Sequence, residues 1–223
     1  IRIVVADQAE AIFYDAPSLD ARPKEVGRIS DPLARKHDRP FFIACGFSKP
    51  HLPFNAPKKY YDLYDPAQLD LADNRFAITG KPPECTNSGE INSYSLISGW
   101  PDKEAFHRQA RHAYYACVSY VDALIGKILA ELKALDLDKN TIIVLWGDHG
   151  WKLGEHGMWC KHTNFELDVR VPLIIKVPGQ KPGKTDNFVE LLDIYPTLAE
   201  LCGFDVPAGQ DGKSLVGIIR QPE

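Results

Sequence analysis

Asp148 and His149 stand side by side, Lys161 follows thirteen residues after Asp148, and His51 lies in the stretch KPHLPF. A carboxylate and an imidazole can share a divalent cation, an ammonium can hold an anionic oxygen as a point charge, and a second histidine can serve as a general acid or an anion contact. Each residue also has a plainer reading. An isolated Asp-His pair is commonly a turn-capping Asp beside a solvent-facing His, most lysines are solvated, and most single histidines are structural. Their company argues for chemistry. Gly147 and Gly150 flank the pair and let the backbone bend, while Gly154, Gly157, Trp151 and Trp159 shape the segment carrying Lys161 into a folded-back loop. Prolines on both sides of His51 stiffen its loop.

These residues need elements to carry them. Thr141 to Trp146 is a short apolar run rich in β-branched residues, the pattern of a buried strand, and ligands gather outside the carboxyl ends of strands in open α/β sheets. Pro40 to Gly46 is a second such run, delivering the His51 loop, and Val171 to Val177 a third. From about Asp102 to Leu135, apolar residues (Tyr114, Cys117, Val121, Leu124, Ile128, Leu132, Leu135) recur at three- and four-residue steps, which predicts the longest helix. Pro57 to Tyr64 reads as a short helix, and Asn187 to Leu201 as an amphipathic helix that Pro196 should kink or split. The tail reads as loop with a last short helical turn. The expected fold class is α/β, a largely parallel sheet flanked by helices on both faces, in one domain over 1–223. Residues 1–39 form a poorly assigned lead-in, and 65–101, rich in Pro, Gly, Asn and Ser, an irregular insertion.

The composition narrows the function. With 44% apolar residues the chain can bury a core, and its net charge of −4 shows no block of one sign, which argues against nucleic acid as a partner. Five cysteines (Cys45, Cys85, Cys117, Cys160, Cys202) form no CxxC pair, so neither a zinc ribbon nor a dense disulfide framework is expected. No apolar stretch reads as a membrane span, and the opening IRIVVA is too short for a signal peptide. A start without methionine leads to the expectation of a fragment or processed piece, with its targeting signal upstream.

The stretches PFFIACGFSKPHLPF, YYACVSYVDALIGKILAELKALDLDKNTIIVLWGDHGWKLGEHGMWCKHTNF, VPLIIKVPG and LLDIYPTLAELCG, in that order, resemble the sulfatase family of the alkaline-phosphatase superfamily. A His rather than an Asn after the metal Asp makes the chain most like the iduronate-2-sulfatase branch. The resemblance implies one calcium ion held partly by Asp148 and His149, with Lys161 and His51 contacting a sulfate group. His51 would be the acid for the departing alcohol and Lys161 the fixed charge, and Trp151 and His156 would line the substrate. The implied substrate is a sulfated saccharide or another sulfate ester, and the implied compartment extracytoplasmic (periplasmic, secreted or lysosomal).

Family members also carry a Cys-x-Pro-x-Arg motif whose Cys becomes formylglycine, the nucleophile, and a paired Asp-Asp that completes the metal site. No cysteine here fits that motif, and the opening strand-like IRIVVADQ offers only Asp7. The chain is therefore expected to resemble the later part of the catalytic domain and to be inactive alone. Two other readings remain open: a phosphoesterase of the same superfamily, with zinc, and a catalytically dead module that binds an anionic sugar. A cysteine hydrolase using Cys160 beside His162 is the weakest, since adjacent residues supply no poised base.

Overall fold

The computed structural model describes residues 2–3, 11–16, 40, 42–82, 85, 89–94 and 103–222. Five strands form one sheet, β1 (Arg2–Ile3), β2 (Ala11–Ala16), β3 (Phe42–Phe47), β4 (Ile143–Trp146) and β7 (Leu173–Lys176), in the order β2-β3-β1-β4-β7. A two-stranded hairpin, β5 (Lys152–Leu153) with β6 (Trp159–Cys160), lies between β4 and β7 in the chain. The α/β class is as expected, but the sheet is more mixed than the sequence reading had it. Among the described strands only β2 and β3 pair in parallel, whereas β1 runs antiparallel to both β3 and β4, and β7 antiparallel to β4. A parallel neighbour needs a crossover, usually a helix packed on the sheet. The chain between β4 and β7 instead folds into the hairpin and a single helical turn, and returns along β4 in the opposite direction.

Helices cover both faces, and strand alternation shows why. Ile43, Cys45 and Ile143 point to one side, where they pack with Ile128 and Leu132 of α2 (Lys103–Ala134). Val144, Trp146, Leu173 and Ile175 point to the other, against Ile194, Leu198 and Leu201 of α4 (Ile194–Leu201). Burying Ile128 and Leu132 stabilises the first contact by about 1.5–3 kcal/mol for each side chain. By length and composition, α2 is the one described helix long and apolar enough to cross a membrane, where the sequence reading found no such stretch. Its buried residues Ala116, Cys117, Leu124, Ile128 and Leu132 pack into the protein's own core.

The first half of α2 extends beyond the sheet and supports the loops. Ala110 and Cys117 join Leu52 and Phe54 from the loop after β3, Ile91 from a short 3₁₀ turn (Glu90–Ser93), and Leu153, Trp159 and Cys160 from the hairpin. One rigid helix thus fixes three loops relative to the sheet. The short helix α1 (Lys58–Tyr61) starts just after Pro57, as expected. The helix expected over 187–201 begins later, with a 3₁₀ turn at Leu191–Asp193 leading into α4. Pro196 then falls in the first turn of α4, where backbone N–H groups have no intrahelical acceptor, so its missing N–H breaks nothing. The single turn before β7 is α3 (Glu166–Val169), and α5 (Val216–Arg220) closes the chain.

Candidate active site

β4 ends at Trp146, and the turn after it carries Asp148 and His149 out of the sheet. Gly147 N–H returns a hydrogen bond to Pro172 O (3.2 Å), and Gly150 N–H donates to Asp168 O (2.7 Å). Glycine is required at 150, because a Cβ there would lie 1.9 Å from the carbonyl oxygen of Leu167. Beneath this turn Lys152 and Asp168, both buried, form an ion pair, and Asp168 also accepts from Thr163 N (2.9 Å) and the Thr163 hydroxyl. The hairpin is therefore tied to α3 by charge, and the turn before it by backbone.

His51 and Lys161, 110 residues apart in sequence, meet with Lys161 Nζ 2.5 Å from His51 Nε2. The His51 ring is oriented by its other nitrogen, since Nδ1–H donates to the Leu52 carbonyl (2.9 Å). A carbonyl only accepts, so Nε2 is left as the working nitrogen. The loop itself is tied by the buried Lys49, whose ammonium donates to the carbonyls of His51 (3.2 Å) and Pro53. Burial lowers the pKa of Lys49, working against the nearby Cys117. Trp151 packs over both groups, with its ring 5.0 Å from that of His51 and 4.9 Å from Lys161 Nζ, and it stacks on His149 at 5.9 Å.

A residue not singled out in the sequence completes this cluster. Both oxygens of Glu90 accept from Lys161 Nζ (2.7 and 2.9 Å); Oε1 lies 3.0 Å from His51 Nε2, and Oε2 lies 3.6 Å from His162 Nδ1. Burial pushes the Glu90 carboxyl up, but the hydrogen bond and charge of Lys161, with His51 and His162, outweigh it and hold the pKa below the ordinary value. Nothing local in the sequence marks Glu90, which sits on a 3₁₀ turn within a run of Asn, Ser and Gly.

The other expected site residues divide. Asp148 is exposed; its Oδ1 accepts from His149 N (3.1 Å), and its Oδ2 lies 3.9 Å from His149 Nε2. His149 Nδ1 is engaged with Gly150 O (2.8 Å), which leaves Nε2 on the side of the Asp148 carboxylate. Calcium takes six to eight oxygen ligands, and among the described residues no group of three or more His, Cys, Asp or Glu could hold a metal. Asp7 lies outside the described residues. His156 falls elsewhere: it lines a cleft of about 650 Å³ with Phe165, Arg111, Glu155 and the 70–74 segment, which His51 and Lys161 do not line. Cys160 is fully buried, and burial, then the Glu90 charge, push its thiol to about 12, which favours the protonated form.

A Lys–His pair beside an Asp-His turn is carried here on an α/β fold of the alkaline-phosphatase-like class, to which sulfatases and phosphonate hydrolases belong. Within it, this chain belongs to the sulfatase family, whose model, described as Sulfatase, matches residues 26–204. It is 36% identical to the iduronate 2-sulfatase of Mus musculus over 91% of this chain and 42% of that protein, and 35% identical to a sulfatase of Formosa agariphila over 95% and 42%. Among solved structures it is similar to the phosphonate monoester hydrolase SpPMH from Silicibacter pomeroyi, with a TM-score of 0.74, 28% identity, and coverage of 93% of this chain and 42% of that one. The chain thus spans about 42% of the length of these relatives.

Proposed function

We propose that this chain supplies the anion-binding and proton-donating half of a sulfate-ester hydrolase of the iduronate-2-sulfatase type, acting on a sulfated saccharide. The observation carrying this reading is the convergence of Lys161 and His51 from sites 110 residues apart, next to the Asp148–His149 turn. Cleaving a sulfate ester develops negative charge on the bridging oxygen and on the oxygens that stay with sulfur. The Lys161 ammonium is placed to hold one of the latter as a fixed charge, and His51 Nε2–H to protonate the departing alcohol. Trp151 packs against both, its ring 5.0 Å from that of His51 and 4.9 Å from Lys161 Nζ.

Asp148 and His149 are the residues that would contribute to holding the family's calcium ion, which when bound neutralises charge on the sulfate oxygens. His156 and its cleft would meet a more distant part of a saccharide. No cysteine stands in a Cys-x-Pro-x-Arg context, so residues 1–223 alone are expected to show little turnover.

The likeness to a phosphonate monoester hydrolase favours a second reading, since a cationic seat for a tetrahedral anion also suits a phosphorus ester. Steady-state assay of the full natural polypeptide containing these residues, with sulfate and phosphonate monoesters side by side, tests the choice. A larger kcat/KM for sulfate supports the first reading, and a larger one for phosphonate replaces it.

A further inference from the structure

Lys161 and His51 lie 2.5 Å apart, and if both carry a proton they repel each other. The carboxylate of Glu90 touches both, at 2.7 and 2.9 Å from Lys161 Nζ and 3.0 Å from His51 Nε2. It is held by a buried anchor, for the next residue, Ile91, is 6% exposed in the cluster formed by Leu52, Trp159 and Cys160. The segment it braces is itself strained: Cys160 and His162, on either side of Lys161, have φ of 68° and 78°, a region that side chains other than glycine seldom adopt. Glu90 reaches Lys161 and His162 in that segment, and so fixes the direction of the lysine where the backbone alone is unfavourable.

We propose that Glu90 is the positioning residue of the anion-binding pair: its carboxylate, in contact with Lys161 Nζ and His51 Nε2, draws the two groups together and holds both in place. This rests on the sulfatase reading given above. Lys161 has three N–H donors. Two go to Glu90, and the third points to His51 Nε2 when that nitrogen is bare. When Nε2 carries a proton, it donates toward Glu90 instead, and the third Lys161 donor is released for a sulfate oxygen. Glu90 thus acts through its neighbours and does not itself need to touch the substrate.

The test compares Glu90→Gln and Glu90→Asp in the full natural polypeptide on two kinds of sulfate ester. An alkyl or sugar sulfate leaves as a basic alkoxide and needs the proton from His51, whereas 4-nitrophenyl sulfate leaves as a stable phenolate and needs it little. General acid catalysis contributes about 10²–10⁴-fold, so Glu90→Gln is expected to lower kcat on the alkyl ester by about tenfold or more relative to the aryl ester. Glu90→Asp, which keeps the charge, should recover part of that selective loss. A circular-dichroism melt of each variant beside the parent shows that it is folded. Equal losses on both esters, no loss on either, or tighter inhibition by inorganic sulfate with faster turnover overturns the proposal. The last result would mean that Glu90 occupies the sulfate's own place. If the unaltered polypeptide cleaves neither ester, the sulfatase reading itself fails.

Discussion

Replacing Lys152 by Met is expected to destabilise the protein far more than an ordinary lysine change, because the side chains of Lys152 and Asp168 are only 0% and 3% exposed. Asp168 Oδ2 accepts from Lys152 and Thr163, while Oδ1 is buried with no hydrogen-bond partner among the described residues. Removing the ammonium leaves a buried carboxylate whose charge the two Thr163 donors cannot balance. Breaking such a pair from one side costs about 3–5 kcal/mol, which for a domain of this size lowers Tm by roughly 6–20 °C. Removing both charges, in Lys152→Met with Asp168→Leu, should recover most of the loss, since apolar replacements of buried pairs are often neutral. Urea unfolding of the two variants and the parent, followed by circular dichroism, measures both quantities. A cost below about 1 kcal/mol for Lys152→Met, or a double variant no better than the single, would refute the claim that this pair holds the hairpin on α3.

Three further outcomes follow from the geometry. Gly150→Ala in the full natural polypeptide places a Cβ against the Leu167 carbonyl and should displace the Asp148–His149 turn, seen as loss of sulfate-ester turnover together with a lower Tm. Because Glu90 has a depressed folded pKa, its stabilising contribution is complete above its unfolded value of about 4.5 and fades as pH falls through the folded one. Melting curves between pH 3 and 7 should therefore show a shallower acid decline for Glu90→Gln than for the parent. Asp148→Asn in the full natural polypeptide should weaken calcium binding, read by titration calorimetry; unchanged affinity would remove Asp148 from the metal site.

The legible parts of the sequence were those with a period. The apolar run of Thr141 to Trp146 and the three- and four-residue spacing of Cys117, Val121, Leu124, Ile128 and Leu132 announce β4 and α2, because burial on one face leaves that imprint. The hairpin strands Lys152–Leu153 and Trp159–Cys160 are two residues each, too short to show alternation. Lys152 defeats a rule rather than lacking one, since lysine reads as surface until a buried Asp is seen beside it. Lys161 and His51 were found by residue type and motif, but their contact joins distant loops through tertiary packing alone. Glu90 had no pattern at all. Its placement depends on Ile91 anchoring a 3₁₀ turn against Cys160, which no local spacing encodes.

The most direct test of the central claim is the rate of sulfate-ester hydrolysis by the full natural polypeptide with Lys161→Ala and His51→Ala made singly. Removing a fixed group that stabilises developing charge typically costs about 10²–10³ in kcat, and each variant is expected to fall by that order with its fold intact. Turnover within about threefold of the parent in both variants, far short of that loss, would contradict the account and move the chemistry away from this pair.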